Sequence, residues 1–165
     1  MTTIDELDAD IIAALCDDAR TSVMDLAQRL RVSRNTIHAR LSRLAEAQIV
    51  AGYSVRVRLL EAGIPVEAFV DVELAQGALQ SVVDALGEMP NVLEVHVTTG
   101  RADLMVRIAA RTHEELQHLI QEMYDVHGVN RTTTHIALST PVPYRVGPLL
   151  AHLTRAAGRG RSGGA

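Results

Sequence analysis

The 165-residue chain has no tryptophan, no lysine, a single cysteine and only 2% aromatic residues. With Cys16 alone there can be no internal disulfide, and a lone cysteine on a helix reads as a small buried apolar residue. So few aromatics leave the interior to Leu, Val, Ile, Ala and Met, and a chain of this length divided into two domains gives each a thin core. Self-association is therefore expected to add stability. No apolar run approaches the roughly 18 residues that cross a bilayer. The acidic opening MTTIDELDAD is unlike a secretory signal, so no membrane partner and a cytoplasmic address are expected.

What is present is a segregation of charge. The formal net charge is -4, yet Leu26 to Ala45 carries five arginines (Arg29, Arg31, Arg34, Arg40, Arg43) and no acid. Met1 to Asp25 holds seven acids against Arg20 alone. An ordinary solvated helix mixes signs at i,i+4 spacing. A local concentration of arginine attracts polyanions even in an acidic protein.

The same stretch shows two amphipathic helical patterns separated by Arg31, Val32 and Ser33, the spacing of a helix-turn-helix. Ser22 is placed to cap the first, with Asp25 at the capping-box position, and Ser33 to cap the second. Ile37, Leu41 and Leu44 form the buried stripe of the second helix. Asn35, Ala39, Ser42 and Arg43 point away from it, toward a DNA major groove. Thr36 and His38 flank that face, and Arg34 and Arg40 border the stripe with reach to phosphates. Double-stranded DNA is the expected partner, with Ser33, Arg34, Asn35, Thr36, His38, Ala39, Arg40, Ser42 and Arg43 as candidate contacts. An upstream helix, about Asp8 to Asp17, completes a three-helix core through Leu7, Ile11, Ile12 and Leu15.

From Ile49 to Leu60 the period changes to two, which predicts a strand with Arg56 and Arg58 on its wet face. Gly63 and Pro65 then mark a linker. Beyond it strands are expected at Val66–Leu74, Val92–Thr99, Asp103–Ala109 and Val129–Ser139, with helices at Gln76–Glu88 and Thr112–His127. The fold class is thus α+β: an N-terminal helix-turn-helix (winged-helix-like) domain and a C-terminal ferredoxin-like βαββαβ domain. Expected boundaries are 1–60, including the connecting strand, a linker at 61–65, the second domain at 66–140, and an extension at 141–165. One sheet face is left uncovered by helices, and its apolar residues are expected to seek a partner sheet. In the extension Leu149 to Ala157 is helix-like, while AGRGRSGGA is too glycine-rich to order itself; Arg155, Arg159 and Arg161 are either solvated or add nonspecific DNA contacts.

LDADIIAALCDDARTSVMDLAQRLRVSRNTIHARLSRLAEAQIVAGYSV resembles the N-terminal domain of the leucine-responsive regulator/AsnC (feast/famine) family of prokaryotic transcription factors. The resemblance is carried by the opening Leu-Asp-x-x-Asp, Asp18-Ala19-Arg20, Leu26-Ala27, Val32-Ser33, Arg40, Arg43-Leu44, Ile49 and Gly52-Tyr53, and continues through most of the chain. It implies that the connecting strand pairs with its copy in a second subunit. Paired recognition helices would then reach successive major grooves about 34 Å apart, and dimers would assemble into higher oligomers up to octamers. It also implies an amino-acid effector, with no other cofactor, bound between subunits.

The connection Thr98-Thr99-Gly100-Arg101-Ala102-Asp103 is similar to that family's Thr-Gly-x-x-Asp effector motif. The chemistry is suitable: a turn at Gly100 offers backbone N–H groups to a carboxylate, and Asp103 offers an acceptor to an α-ammonium. A plain hairpin turn is the alternative. Thr134 matches a family threonine that closes the site from an adjacent subunit, and Arg101 is unusual at its position. The seven histidines show no HxH, HExxH or Cys/His spacing, so no metal site is expected. Neither is a catalytic residue. Two further readings stay open. Sirohaem decarboxylases share this layout, and tetrapyrrole binding would reveal one; an amino-acid-sensing module without a DNA role would lack salt-dependent DNA binding.

Overall fold

The structure is a computed structural model that describes residues 4–155. Helix α1 (Glu6–Asp17) begins at Glu6 rather than Asp8 because Asp5 and Asp8 form a reciprocal capping box. Each carboxylate accepts the other residue's backbone N–H at 3.0 Å, so two donors of the first turn are satisfied. Helix α2 (Val23–Leu30) is capped by Ser22, whose Oγ accepts the Asp25 N–H at 3.1 Å. Asp25 departs from its expected role: its carboxylate accepts the Ser22 hydroxyl at 2.6 Å. The chain then turns at Arg31, which takes the left-handed conformation (φ 57°, ψ 43°) usually left to glycine. Ser33 caps helix α3 (Arg34–Glu46) through the Thr36 N–H. Leu7, Ile11 and Ala14 of α1, Leu26, Ala27 and Leu30 of α2 and Ile37 of α3 form the core of this helix-turn-helix.

Two expectations need correction here. Ile49 to Leu60 forms no strand, and Tyr53, Val55 and Val57 are exposed. A strand exists only through the hydrogen bonds of a neighbour, and no segment among the described residues of this chain supplies them. Cys16 is exposed because it lies in the last turn of α1, beyond the residues that line the core.

The chain divides into two units, Arg56–Pro141 and the remainder on either side of it. The extension is therefore not a separate appendage. Its helix α6 (Gly147–Thr154) packs on α1 within the N-terminal unit. Gly147, Leu150, Ala151 and Thr154 are its less exposed positions, one face at helical spacing, and a Cβ at Gly147 would lie 3.7 Å from that of Ala13. Ala9 and Ile12 are buried but stand outside the helix-turn-helix core; they share the Ala13 face of α1, which α6 covers. The glycine-rich end at 157–165, with Arg159 and Arg161, lies outside the described residues.

The other unit has the order β1 (Val66–Leu74), α4 (Leu79–Gly87), β2 (Val92–Val97), β3 (Leu104–Ala110), α5 (His113–Asp125), β4 (Val129–Ile136). The strands form one antiparallel sheet in the order β2-β3-β1-β4, the ferredoxin-like arrangement. Ala68, Val70 and Val72 of β1 and Leu104, Val106 and Ile108 of β3 point to one face. There they pack with Val82 and Leu86 of α4 and Leu116, Leu119 and Met123 of α5. The alternate residues make the uncovered face, which is mostly polar. Glu67, Asp71, Glu73, Arg107 and, through the register, Glu94, His96, Arg131 and His135 dominate it, with Phe69 and Met105 among them. Arg107 bonds Glu67, His96 lies 3.1 Å from Glu94 and His135 lies 3.4 Å from Asp71.

Candidate DNA interface and ligand pocket

Helix α3 presents Arg34, Asn35, His38, Ala39 and Ser42 as an exposed stripe. These positions recur at i, i+1, i+4, i+5 and i+8, one face opposite Ile37 and Leu44. Ser33 and Thr36 are committed to the helix start: their hydroxyls bond each other at 2.8 Å and Ser33 Oγ accepts the Thr36 N–H. An uncrowded N-terminus and exposed Arg34 suit a phosphate, while Asn35, His38 and Ser42 have the donors and acceptors that read base edges. Arg31 adds an exposed guanidinium in the turn, and Arg29 another beside Asp17 at 3.9 Å.

Arg40 and Arg43, expected to contact DNA, bond acids of α1 in this structure. Arg40 Nη1 donates to Asp5 Oδ2 and, at 3.1 Å, to Asp8 Oδ1; Arg43 Nη2 donates to Asp8 Oδ2. The Asp8 side chain is wholly buried and that of Arg40 is 16% exposed, so Arg40 serves the α1–α3 contact; Arg43, 39% exposed, bonds Asp8 from the edge of that contact. Burial disfavours the charged form of Asp5, but the Arg40 guanidinium and the Asp8 N–H outweigh it and hold the carboxyl below its usual range. Arg40 answers in the opposite sense: burial would lower its pKa, yet the two aspartates raise it. Arg43 Nε is buried with no hydrogen-bond partner among the described residues.

In the other unit the connection between β2 and β3 is stitched by short bonds. Thr98 N–H donates to Asp103 O at 2.9 Å and Thr98 Oγ1 to Ala102 O at 2.9 Å, while Gly100 takes φ +118°. Asp103 reaches β1, its N–H donating to Val72 O and its Oδ2 accepting the Leu74 N–H at 2.7 Å. That bond sits where the β1–β4 register shifts, between Glu73 and Leu74. A cavity of about 210 Å³ opens here, lined by Leu74, Ala75, Gln76, Gly77, Leu79, Val97, Thr98 and Asp103. Thr98 and Asp103 are thus brought together with the β1–α4 loop. Thr99, Gly100 and Arg101 shape the turn without lining the cavity, and Arg101 lies 3.5 Å from Glu73. Thr134 is elsewhere, opposite Val70 on the helix-covered face of β4. The sequence reading missed Leu74 to Gly77; the Gln76-Gly77 turn, with Gly77 at φ +81°, was the available signal.

Among the described residues no three His, Cys, Asp or Glu side chains are grouped to hold a metal ion, and no helix is long and apolar enough to cross a membrane.

Known proteins resemble the chain over both units. The model of the AsnC-type helix-turn-helix domain matches residues 4–45, and that of the Lrp/AsnC ligand binding domain matches residues 67–146. Regulatory protein AsnC of Escherichia coli (strain K12) is 31% identical over 147 residues, covering 88% of this chain and 97% of that protein. An HTH-type transcriptional regulator of Pyrococcus furiosus is 27% identical over 135 residues, 82% of this chain and 91% of that one. The solved structure of E. coli AsnC superposes with a TM-score of 0.82 at 30% identity, covering 89% of this chain and all of that one. A transcriptional regulator of Neisseria meningitidis, crystallised as a complex with L-Met, shares the fold with a TM-score of 0.84 at 22% identity, over 92% of this chain and 99% of that one.

Proposed function

This chain belongs to the Lrp/AsnC family of DNA-binding transcriptional regulators, and on that premise we propose that an amino acid bound at the Thr98–Asp103 turn controls its hold on DNA. The observation that carries the reading is the Asp103 carboxylate at the cavity wall beside Leu74, Leu79 and Val97. One carboxylate oxygen braces the Leu74 N–H, and the other is the acceptor for an α-ammonium. The leucines and the valine suit an aliphatic side chain. Its volume, about 210 Å³, falls below the roughly 300–1,000 Å³ of sites for drug-sized ligands, as a single amino acid requires. Residues of a second subunit complete the enclosure; Thr134, on the helix-covered face of β4, is not one of them.

On this reading the exposed stripe of α3 binds duplex DNA as a dimer. The strip Tyr53, Val55 and Val57 pairs with its copy, and dimers join into larger assemblies. A ligand shared between subunits favours some assemblies over others, and that differential affinity couples ligand to DNA. Relatives that are transcriptional regulators favour this reading over the decarboxylase and the sensor without DNA. The test is fluorescence anisotropy of duplexes selected from a random pool, titrated with each standard amino acid. At least one should change the DNA affinity of the native protein and not of Asp103→Asn. A response that survives in Asp103→Asn would place the effector elsewhere.

A further inference from the structure

Every carboxylate near a DNA-binding helix opposes a polyanion, so neutralising one should tighten binding. We propose that Asp5 and Asp8 obey the opposite rule: they are positioning residues that set the pose of the recognition helix, and neutralising either weakens DNA binding.

Asp5 and Asp8 stand one turn apart at the start of α1, and Arg40 and Arg43 stand one turn apart on α3. The two pairs meet as matched rungs, Arg40 bridging both carboxylates and Arg43 taking Asp8. Apolar contact through Ile37 and Leu44 is non-directional and constrains the rotation of α3 and its position along the axis less sharply than a hydrogen bond does. Charge-assisted hydrogen bonds are directional, and two rungs fix both. Rotation matters because Arg34, Asn35, His38, Ala39 and Ser42 form one narrow face, and a modest turn about the axis takes their tips off the base edges.

The aspartates are themselves rigid. Each is held by the other's backbone N–H in the capping box, and Asp8 is wholly buried. The helix cap and the interhelical clamp are thus one structure, with the start of α1 as the datum for α3. Arg43 is 39% exposed and its Nε is buried without a partner among the described residues, so the Nη2 bond to Asp8 is the polar contact that holds this guanidinium against α1. Without the Asp8 charge, Arg43 gains by turning out to water, and the rung opens.

The proposal inverts the role of the two arginines as well. A phosphate-contacting arginine contributes about one unit to the slope of log K against log salt; a clamping one contributes none. The experiment is anisotropy over a salt series, with duplexes selected from a random pool by the native protein as the probe. The full-length variants are Asp8→Asn, Asp5→Asn, Arg43→Gln and Asp8→Asn/Arg43→Gln, with Glu46→Gln, an exposed acid at the end of α3, as the electrostatic control. Each is assayed below its unfolding temperature, with helix content checked by circular dichroism.

Asp8→Asn and Arg43→Gln should each weaken binding about tenfold with the salt slope unchanged. The double variant should be no weaker than either single one, since both break the same rung. Glu46→Gln should bind as well as native or better. Native or tighter binding by the aspartate variants, or a slope lowered by about one unit in Arg43→Gln, would overturn the clamp. If Asp8→Asn does not fold, the sign of the Asp5→Asn effect and the Arg43→Gln slope decide the matter between them.

Discussion

The N-terminal unit draws Asp5, Asp8, Arg40 and Arg43 into the contact between its first and third helices, whereas the C-terminal unit keeps an aliphatic interior and spreads its ions over the open face of its sheet. The difference follows from how each unit fixes geometry. A sheet is held in register by its backbone ladder, so side-chain charges are free for the surface. Three short helices have no ladder between them. The backbone turn at Arg31 joins α2 to α3, but the pose of α1 against α3 rests on side chains, and a directional contact adds what an aliphatic one lacks.

The largest expected effect tests the buried ions. Asp8→Ala removes one of the two partners of Arg40, which is 16% exposed and keeps Asp5, so the cost falls at the low end of a broken buried pair, about 3 kcal/mol. Urea unfolding followed by amide exchange should show α1 to α3 losing protection while the sheet keeps its own. Uniform loss across both units would contradict their separate anchoring. Gly128→Ala is the counterpart in the sheet unit. It adds a Cβ 2.5 Å from that of Ala78 at a residue with φ +101°, which costs about 2 kcal/mol or more. The β4 amides should lose protection while α1 to α3 are unaffected.

Surface charge should matter far less. Arg107→Gln removes the Glu67 pair on the open face, where the side chains are 37% and 23% exposed, and should change the stability of the free protein by about 1 kcal/mol at most. If it instead dissociates the assembly, the open face is the contact between subunits. The smallest effect concerns pH. The Asp5 carboxyl titrates below its usual range in the folded state, so the stability it contributes is fully present above the ordinary aspartate pKa. It is lost as pH falls through the depressed folded value, where the unfolded chain binds the proton first. Acid unfolding of Asp5→Asn should therefore be shallower than native below the ordinary aspartate range and parallel above it.

Much of this architecture could be read from periodicity. The alternation in VEAFVDVEL placed β1 at its observed bounds, and the stripe of Ile37, Leu41 and Leu44 placed α3, because both signals reflect burial of the element's own side chains. The direction of Arg40 and Arg43 could not be read this way. They border the apolar stripe, where a long side chain reaches either side, and their partners lie 32 to 35 residues earlier in the chain. The matching one-turn spacings of Asp5/Asp8 and Arg40/Arg43 were the available clue. Arg31 shows the same limit in the turn, since a left-handed residue other than glycine leaves no mark in a sequence. The polar character of the open sheet face was visible in Glu67, Asp71, Glu73 and Arg107, which alternate with the buried residues of β1 and β3. At the ligand turn, Thr98 and Asp103 were legible as a motif, but Leu74 to Gly77 meet them only through the strand order.

The most direct test of the account is a thermal-shift screen of the full-length protein and of Asp103→Asn against the standard amino acids, because a ligand that binds only the folded state raises its apparent stability by mass action. A selective rise for one amino acid or a few related ones, absent in Asp103→Asn, is the expected result. An equal rise in both proteins would contradict the assignment of the cavity beside Asp103 as the effector site, and no rise with any of them would contradict an amino acid as the effector.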